Sequence, residues 1–114
     1  MTLSGQDYAA TVAAGIVVVD VRAPWYAPSR GLTAALGAVA DRHPDVVFAT
    51  VDAEQEPALV AAVGVRAVPT LLVYRDGVLV FAEPGALPAD SVELLLDTVR
   101  ELDMAAVREQ FPER

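Results

Sequence analysis

Six residues constrain the fold of this chain most: Ile16-Val17-Val18-Val19-Asp20-Val21 is a near-continuous β-branched run. β-branched side chains favour extended backbone, and a run with no polar alternation suits a strand covered on both faces. Such a strand needs helices on either side of it. Before it, Tyr8, Ala9, Val12 and Ala13 recur at helical spacing and predict a short helix over 6–14. After it, Ala23 to Pro28 is a loop with two prolines, and a helix runs from about Ser29 to Arg42 with Leu32, Leu36 and Val39 on one stripe. His43-Pro44 stops that helix, because a residue before proline is pushed out of the α region.

The pattern then repeats. Val46 to Val51 reads as a second buried strand, and Pro57 suits the first turn of a helix over Ala58 to Val63 that ends at Gly64. Thr70–Tyr74 and Val78–Ala82 flank Arg75-Asp76-Gly77, and two β-rich runs around Asp-Gly predict a hairpin. Pro88 or Ala89 opens a last helix with Val92, Leu95, Leu96, Val99 and Leu102 on its apolar stripe. Helical crossovers join parallel strands and a hairpin adds antiparallel ones, so the fold class is α/β with a mixed sheet.

Composition removes whole classes of chemistry. The 114 residues suit one domain, and 54% of them are hydrophobic, too many for a disordered chain. No Cys is present, which excludes disulfides, thiolate metal sites and cysteine nucleophiles. No Lys is present either, so a Schiff-base amine and a phosphate-loop lysine are excluded. Asn is also absent and Ile16 is the one Ile, a bias that fits a GC-rich bacterial genome. A net charge of −8 argues against nucleic acid and against an anionic membrane surface. The longest apolar run, Ala9 to Val19, is shorter than a bilayer span, and the first seven residues lack the features of a secretory signal. The expectation is a cytoplasmic domain with no membrane partner.

Val17-Val18-Val19-Asp20 followed by Ala23-Pro24-Trp25-Tyr26-Ala27-Pro28-Ser29-Arg30 resembles the active-site segment of the thioredoxin family. Val65-Arg66-Ala67-Val68-Pro69-Thr70 is similar to the family's cis-proline loop, and Tyr74-Arg75-Asp76-Gly77 to its hairpin turn. The resemblance covers about 7–102 in matching order. It implies a thioredoxin fold, a central mixed β-sheet flanked by helices on both faces. Residues 1–114 would then be a single thioredoxin-like domain, with 103–114 a C-terminal helical extension.

The departures from that family carry the functional reading. Its Cys-x-x-Cys sits where a helix N-terminus and exposure favour a thiolate. The two positions here hold Tyr26 and Ser29, whose phenol and hydroxyl form no mixed disulfide. Dithiol–disulfide exchange is closed to this chain. The resemblance implies that Asp20 is a retained buried acid, a relic without a thiol to deprotonate. It also implies that Thr50 replaces a usual lysine and Ala34 a helix-kinking proline.

Each candidate residue has a functional and a structural reading. Trp25, Tyr26, Pro28, Val68 and Pro69 would form a groove for an extended peptide segment of a partner protein, paired by strand addition. Their structural reading is an inherited rim and an obligatory turn. Ser29 as a nucleophile lacks a base, since His43 lies at the far end of the same helix, roughly 20 Å away; a helix-start cap is the simpler role. Asp41-Arg42-His43-Pro44-Asp45 has metal-site composition but reads better as a polar helix end. Asp52, Glu54 and Glu56 read as a solvated acidic loop. Leu102, Val107 and Phe111 suit packing on the domain or meeting another subunit. The resulting expectation is a redox-inactive, chaperone-like binding module with no metal and no cofactor. The alternative is a substituted or decayed disulfide reductase.

Overall fold

The computed structural model describes residues 1–110. Helix α1 (Tyr8–Val12) precedes strand β1 (Ile16–Arg22), followed by α2 (Ala27–Ala40), β2 (Val47–Asp52) and α3 (Pro57–Ala62). The hairpin of β3 (Thr70–Arg75) and β4 (Val78–Pro84) leads to α4 (Ala89–Glu101) and α5 (Met104–Gln110). The sheet order is β2-β1-β3-β4. Strand β1 is central, parallel to β2 and antiparallel to β3, and β4 pairs antiparallel with β3.

The β-branched run splits its side chains between two cores, as the two-residue period of a strand requires. Val17, Val19 and Val21 join Tyr8, Val12, Val51 and Leu72 on the face covered by α1 and α3. Val18 joins Leu32, Leu36 and Val39 of α2 and Val92, Leu96 and Val99 of α4 on the other. Helices therefore flank the mixed sheet on both faces, the arrangement of the thioredoxin fold. The sequence order also holds, with shorter boundaries for α1 and an earlier start for α2.

Three long-range features complete the frame. The Asp76 and Gly77 backbone both take positive φ, 52° and 85°, the two-residue primed turn that matches strand twist. Arg75 reaches from β3 to the end of α4, where its Nη1 donates to the carbonyls of Val99 (2.6 Å) and Leu102 (2.8 Å). The Val99 carbonyl also accepts the Leu102 N–H at 3.3 Å, and the guanidinium adds a charged donor that caps the helix end and complements its dipole. The first residues add a rudimentary strand beside β2: Leu3 N–H donates to Thr50 O and Thr50 N–H to Met1 O, both at 2.8 Å. Local periodicity does not announce that pairing.

Candidate functional site

The register of the sheet assembles the site. Val21 of β1 pairs with Thr70 of β3, which brings the Val68-Pro69 loop beside the segment that leaves β1. That segment turns at Ala23, whose carbonyl accepts the Tyr26 N–H at 3.0 Å, and enters α2 through Ala27 and Pro28. Pro28 is thus in the first helical turn, where its missing N–H has no intrahelical role.

Trp25 and Tyr26 stand out from the surface, 67% and 41% exposed, with ring centroids 5.7 Å apart. The Trp25 indole N–H donates to the Glu54 carboxylate, so the ring is held at one edge while its faces stay open. Glu54 was hidden from local reading because it lies 29 residues from Trp25. The acidic loop around it is not buried, and it makes specific hydrogen bonds. Asp52 Oδ1 accepts the Glu54 N–H at 2.9 Å, and Glu56 Oε1 accepts the Gly5 N–H at 2.9 Å.

The Val68–Pro69 peptide bond is cis and Pro69 is buried. Thr70 Oγ1 donates to Ala67 O at 2.6 Å, and Gly85 N–H donates to Pro69 O at 2.8 Å. These bonds hold the loop on both sides. Among the described residues, none bonds to the N–H or C=O of Val68 itself, which is half-buried. A cleft of about 210 Å³ adjoins the loop, lined by Val65, Arg66, Ala67, Thr70, Ala82 and Pro84 among others.

Ser29 does not cap α2. Tyr26 takes the N-cap position without a side-chain cap bond, and Ser29 is fully buried. Its Oγ accepts the Ala23 N–H at 3.0 Å, fastening the β1–α2 turn. The helix begins two residues earlier than the sequence suggests because Ala27 and Pro28 fit its first turn. Among the described residues, the Ser29 hydroxyl makes no hydrogen bond to a side chain that could act as a base.

Asp20 is 1% exposed at the heart of β1. Its Oδ2 lies 2.5 Å from the Thr33 hydroxyl, while its Oδ1 has no partner among the described residues. Burial pushes the carboxyl above its ordinary pKa, against smaller opposing contributions from the Thr33 hydrogen bond and the Arg22 charge.

His43 lies in a polar clamp. One ring nitrogen meets Glu93 and the other is 2.9 Å from Arg100 Nη2, while Arg100 also binds both oxygens of Asp45. Arg42 Nε donates to Glu93 at 2.5 Å. Hydrogen bonds from His43 and Arg42 hold Glu93 below the usual carboxylate range, and Arg100 does the same for Asp45. The segment is a polar helix end tied to α4. No group of three or more metal-ligating side chains occurs among the described residues.

The thioredoxin family model matches residues 1–98. This chain belongs to the thioredoxin family. A thioredoxin-type protein of Streptomyces coelicolor is 38% identical over 98 residues, covering 86% of this chain and 73% of that protein. The thioredoxin of Chlamydia trachomatis is 32% identical, covering 82% of this chain and 92% of its own length. A mutant thioredoxin from Halobacterium salinarum superimposes with a TM-score of 0.79 at 30% identity, over 90% of this chain and 91% of that one. This thioredoxin-family chain contains no cysteine at all. No helix of the described residues is long and apolar enough to cross a membrane.

Proposed function

We propose that this thioredoxin-family chain is a redox-inactive binding module that holds an extended segment of a partner protein, in a chaperone-like role. The observation that carries this reading is the backbone of Val68, which no described residue pairs, in a loop that the Val21–Thr70 pairing brings beside the segment bearing the exposed Trp25 and Tyr26. An extended peptide adds to such a segment through main-chain hydrogen bonds, and exposed aromatic rings supply apolar contact. Without a thiol in the chain, peptide capture would not lead to a mixed disulfide.

Trp25 is the single tryptophan, so its fluorescence reports on the groove directly. Titration with tryptophan-free extended peptides should shift its emission saturably. Tyr26→Ala should weaken binding by about 1–2 kcal/mol, the usual cost of removing an interface aromatic. Val68→Arg, checked for folding by circular dichroism, should abolish the response. If emission is unchanged by every peptide, and the chain does not slow aggregation of reduced insulin, the groove has no such role.

The retained Asp20 beneath the β1–α2 turn favours a second reading, a reductase that lost its thiols. A Tyr26→Cys, Ser29→Cys double variant separates the two. Prompt reduction of insulin by the revertant supports a decayed reductase, whereas a folded but inactive revertant supports a binding module.

A further inference from the structure

The loop that leads into β3 offers more hydrogen-bond donors than the fold uses. Among the described residues, none accepts from the backbone N–H of Arg66, Ala67 or Val68, and both Arg66 and Ala67 are exposed. The Arg66 guanidinium is in the same condition, since no described carboxylate pairs with it. The guanidinium groups of Arg30 and Arg108 are exposed too, but each donates to a carbonyl, Pro24 O at 3.1 Å and Asp76 O at 2.8 Å. Arg66 makes no such bond to a described residue.

Arg66 also lines the cleft of about 210 Å³ beside the Val68 loop, together with Val63, Val65, Leu72, Ala82 and Pro84 among others. That space is several times the roughly 30 Å³ of one water in the liquid, and these walls are aliphatic. A cation at the side of an apolar recess suits a carboxylate carried next to an aliphatic side chain. The guanidinium and the backbone N–H groups are donors only, and a carboxylate is an acceptor only, so the match needs no protonation change. The net charge of −8 favours a basic segment at long range. Beyond roughly 8 Å that field is largely screened at physiological ionic strength, whereas a pair in contact is not. Arg66 therefore sets the preference at the one point it reaches.

We infer that the segment held in this groove carries an Asp or Glu that pairs with Arg66, next to an aliphatic side chain that enters the adjoining cleft. Arg66 is two residues before Val68, at most about 7 Å along the backbone. The acidic residue accordingly falls within about three residues of the one lying on Val68. This specificity rests on the peptide-binding role proposed for the groove, and names the partner chemistry it selects.

The test is a Trp25 fluorescence titration of the full chain with a tryptophan-free host peptide of threonine and alanine around one leucine. A single Glu, Gln or Lys is walked through its positions. At one position near the leucine, Glu should bind about two- to fivefold tighter than Gln, the range of an exposed ion pair, with Lys weaker than Gln. Arg66→Gln should erase the gap between Glu and Gln, and Arg66→Glu should reverse the order in favour of Lys, both variants being checked for folding by circular dichroism. Exchanging the leucine for alanine should weaken the peptides about fivefold or more. Equal binding of Glu and Gln at every position, a Glu preference that survives Arg66→Gln, or a leucine replaced without loss overturns the inference while the groove keeps its binding role. If no peptide of the set shifts the emission, the binding role itself fails and this specificity falls with it.

Discussion

Ser29 and Asp20 are both buried polar residues, yet they affect stability in opposite ways. The Ser29 hydroxyl satisfies the Ala23 N–H, so Ser29→Ala leaves a buried donor without an acceptor. A loss of about 1–2 kcal/mol is expected in urea denaturation. Asp20 has the contrary effect because its charged form is disfavoured inside the fold. Above the ordinary carboxylate pKa the unfolded chain has released this proton while the folded chain retains it. Stability conferred by the protonated state therefore declines as pH rises from there to the raised folded value, then levels off. Asp20→Asn removes that decline. The variant should be more stable than the native chain by about 1–3 kcal/mol at pH 8, with the difference shrinking toward pH 4. Parallel thermal denaturation at the two pH values checks both the sign and the trend.

At the scale of elements, helix α4 is fastened at both ends of its buried stripe. Glu93 and Arg100 tie it to the end of α2, and Arg75 caps its last carbonyls from β3. Arg75→Ala deletes charge-assisted bonds to the carbonyls of Val99 and Leu102, leaving Val99 O only the 3.3 Å bond from the Leu102 N–H. A loss of about 1–3 kcal/mol is expected, with faster hydrogen exchange confined to the last turn of α4 and the start of α5. Arg75→Lys should recover part of the loss, since one ammonium cannot reproduce the planar fork. The Asp-Gly hairpin was legible beforehand because its requirement for positive φ is local. The cap was not, since 24 to 27 residues separate Arg75 from the carbonyls it serves.

For the molecule as a whole, the sheet separates two cores and leaves α5 outside both. No residue of α5 is buried, and its side-chain tie to the hairpin is Arg108 Nη2 donating to Asp76 O at 2.8 Å. Met104 and Val107 are half-buried, as packing on the domain would require, while Phe111 lies outside the described residues. Deletion of residues 104–114 should therefore lower stability by no more than about 1 kcal/mol and leave the sheet intact. Circular dichroism with a urea titration of the truncated chain tests this. Arg108 and Asp76 also border a cleft of about 920 Å³ at the opposite end of β1 from Trp25, which the same deletion would open further.

Three things followed from the amino-acid order alone. Thiol chemistry is excluded because no residue can substitute for an absent Cys. The α/β order follows because hydrophobic period is a property of consecutive residues, and the β-branched run required a covered central strand. The resemblance singled out Tyr26, Ser29, Asp20 and Pro69 as the residues to inspect. Tertiary structure alone decided what those residues touch. The Ala23 bond that occupies Ser29 spans only six residues but depends on how the β1–α2 turn folds, while the Glu54 carboxylate on Trp25 and the clamp around His43 join elements distant in sequence. Packing likewise left Asp20 Oδ1 without a partner among the described residues. Local pattern records which face a side chain takes; whether a buried polar atom finds a partner depends on how separate elements pack together.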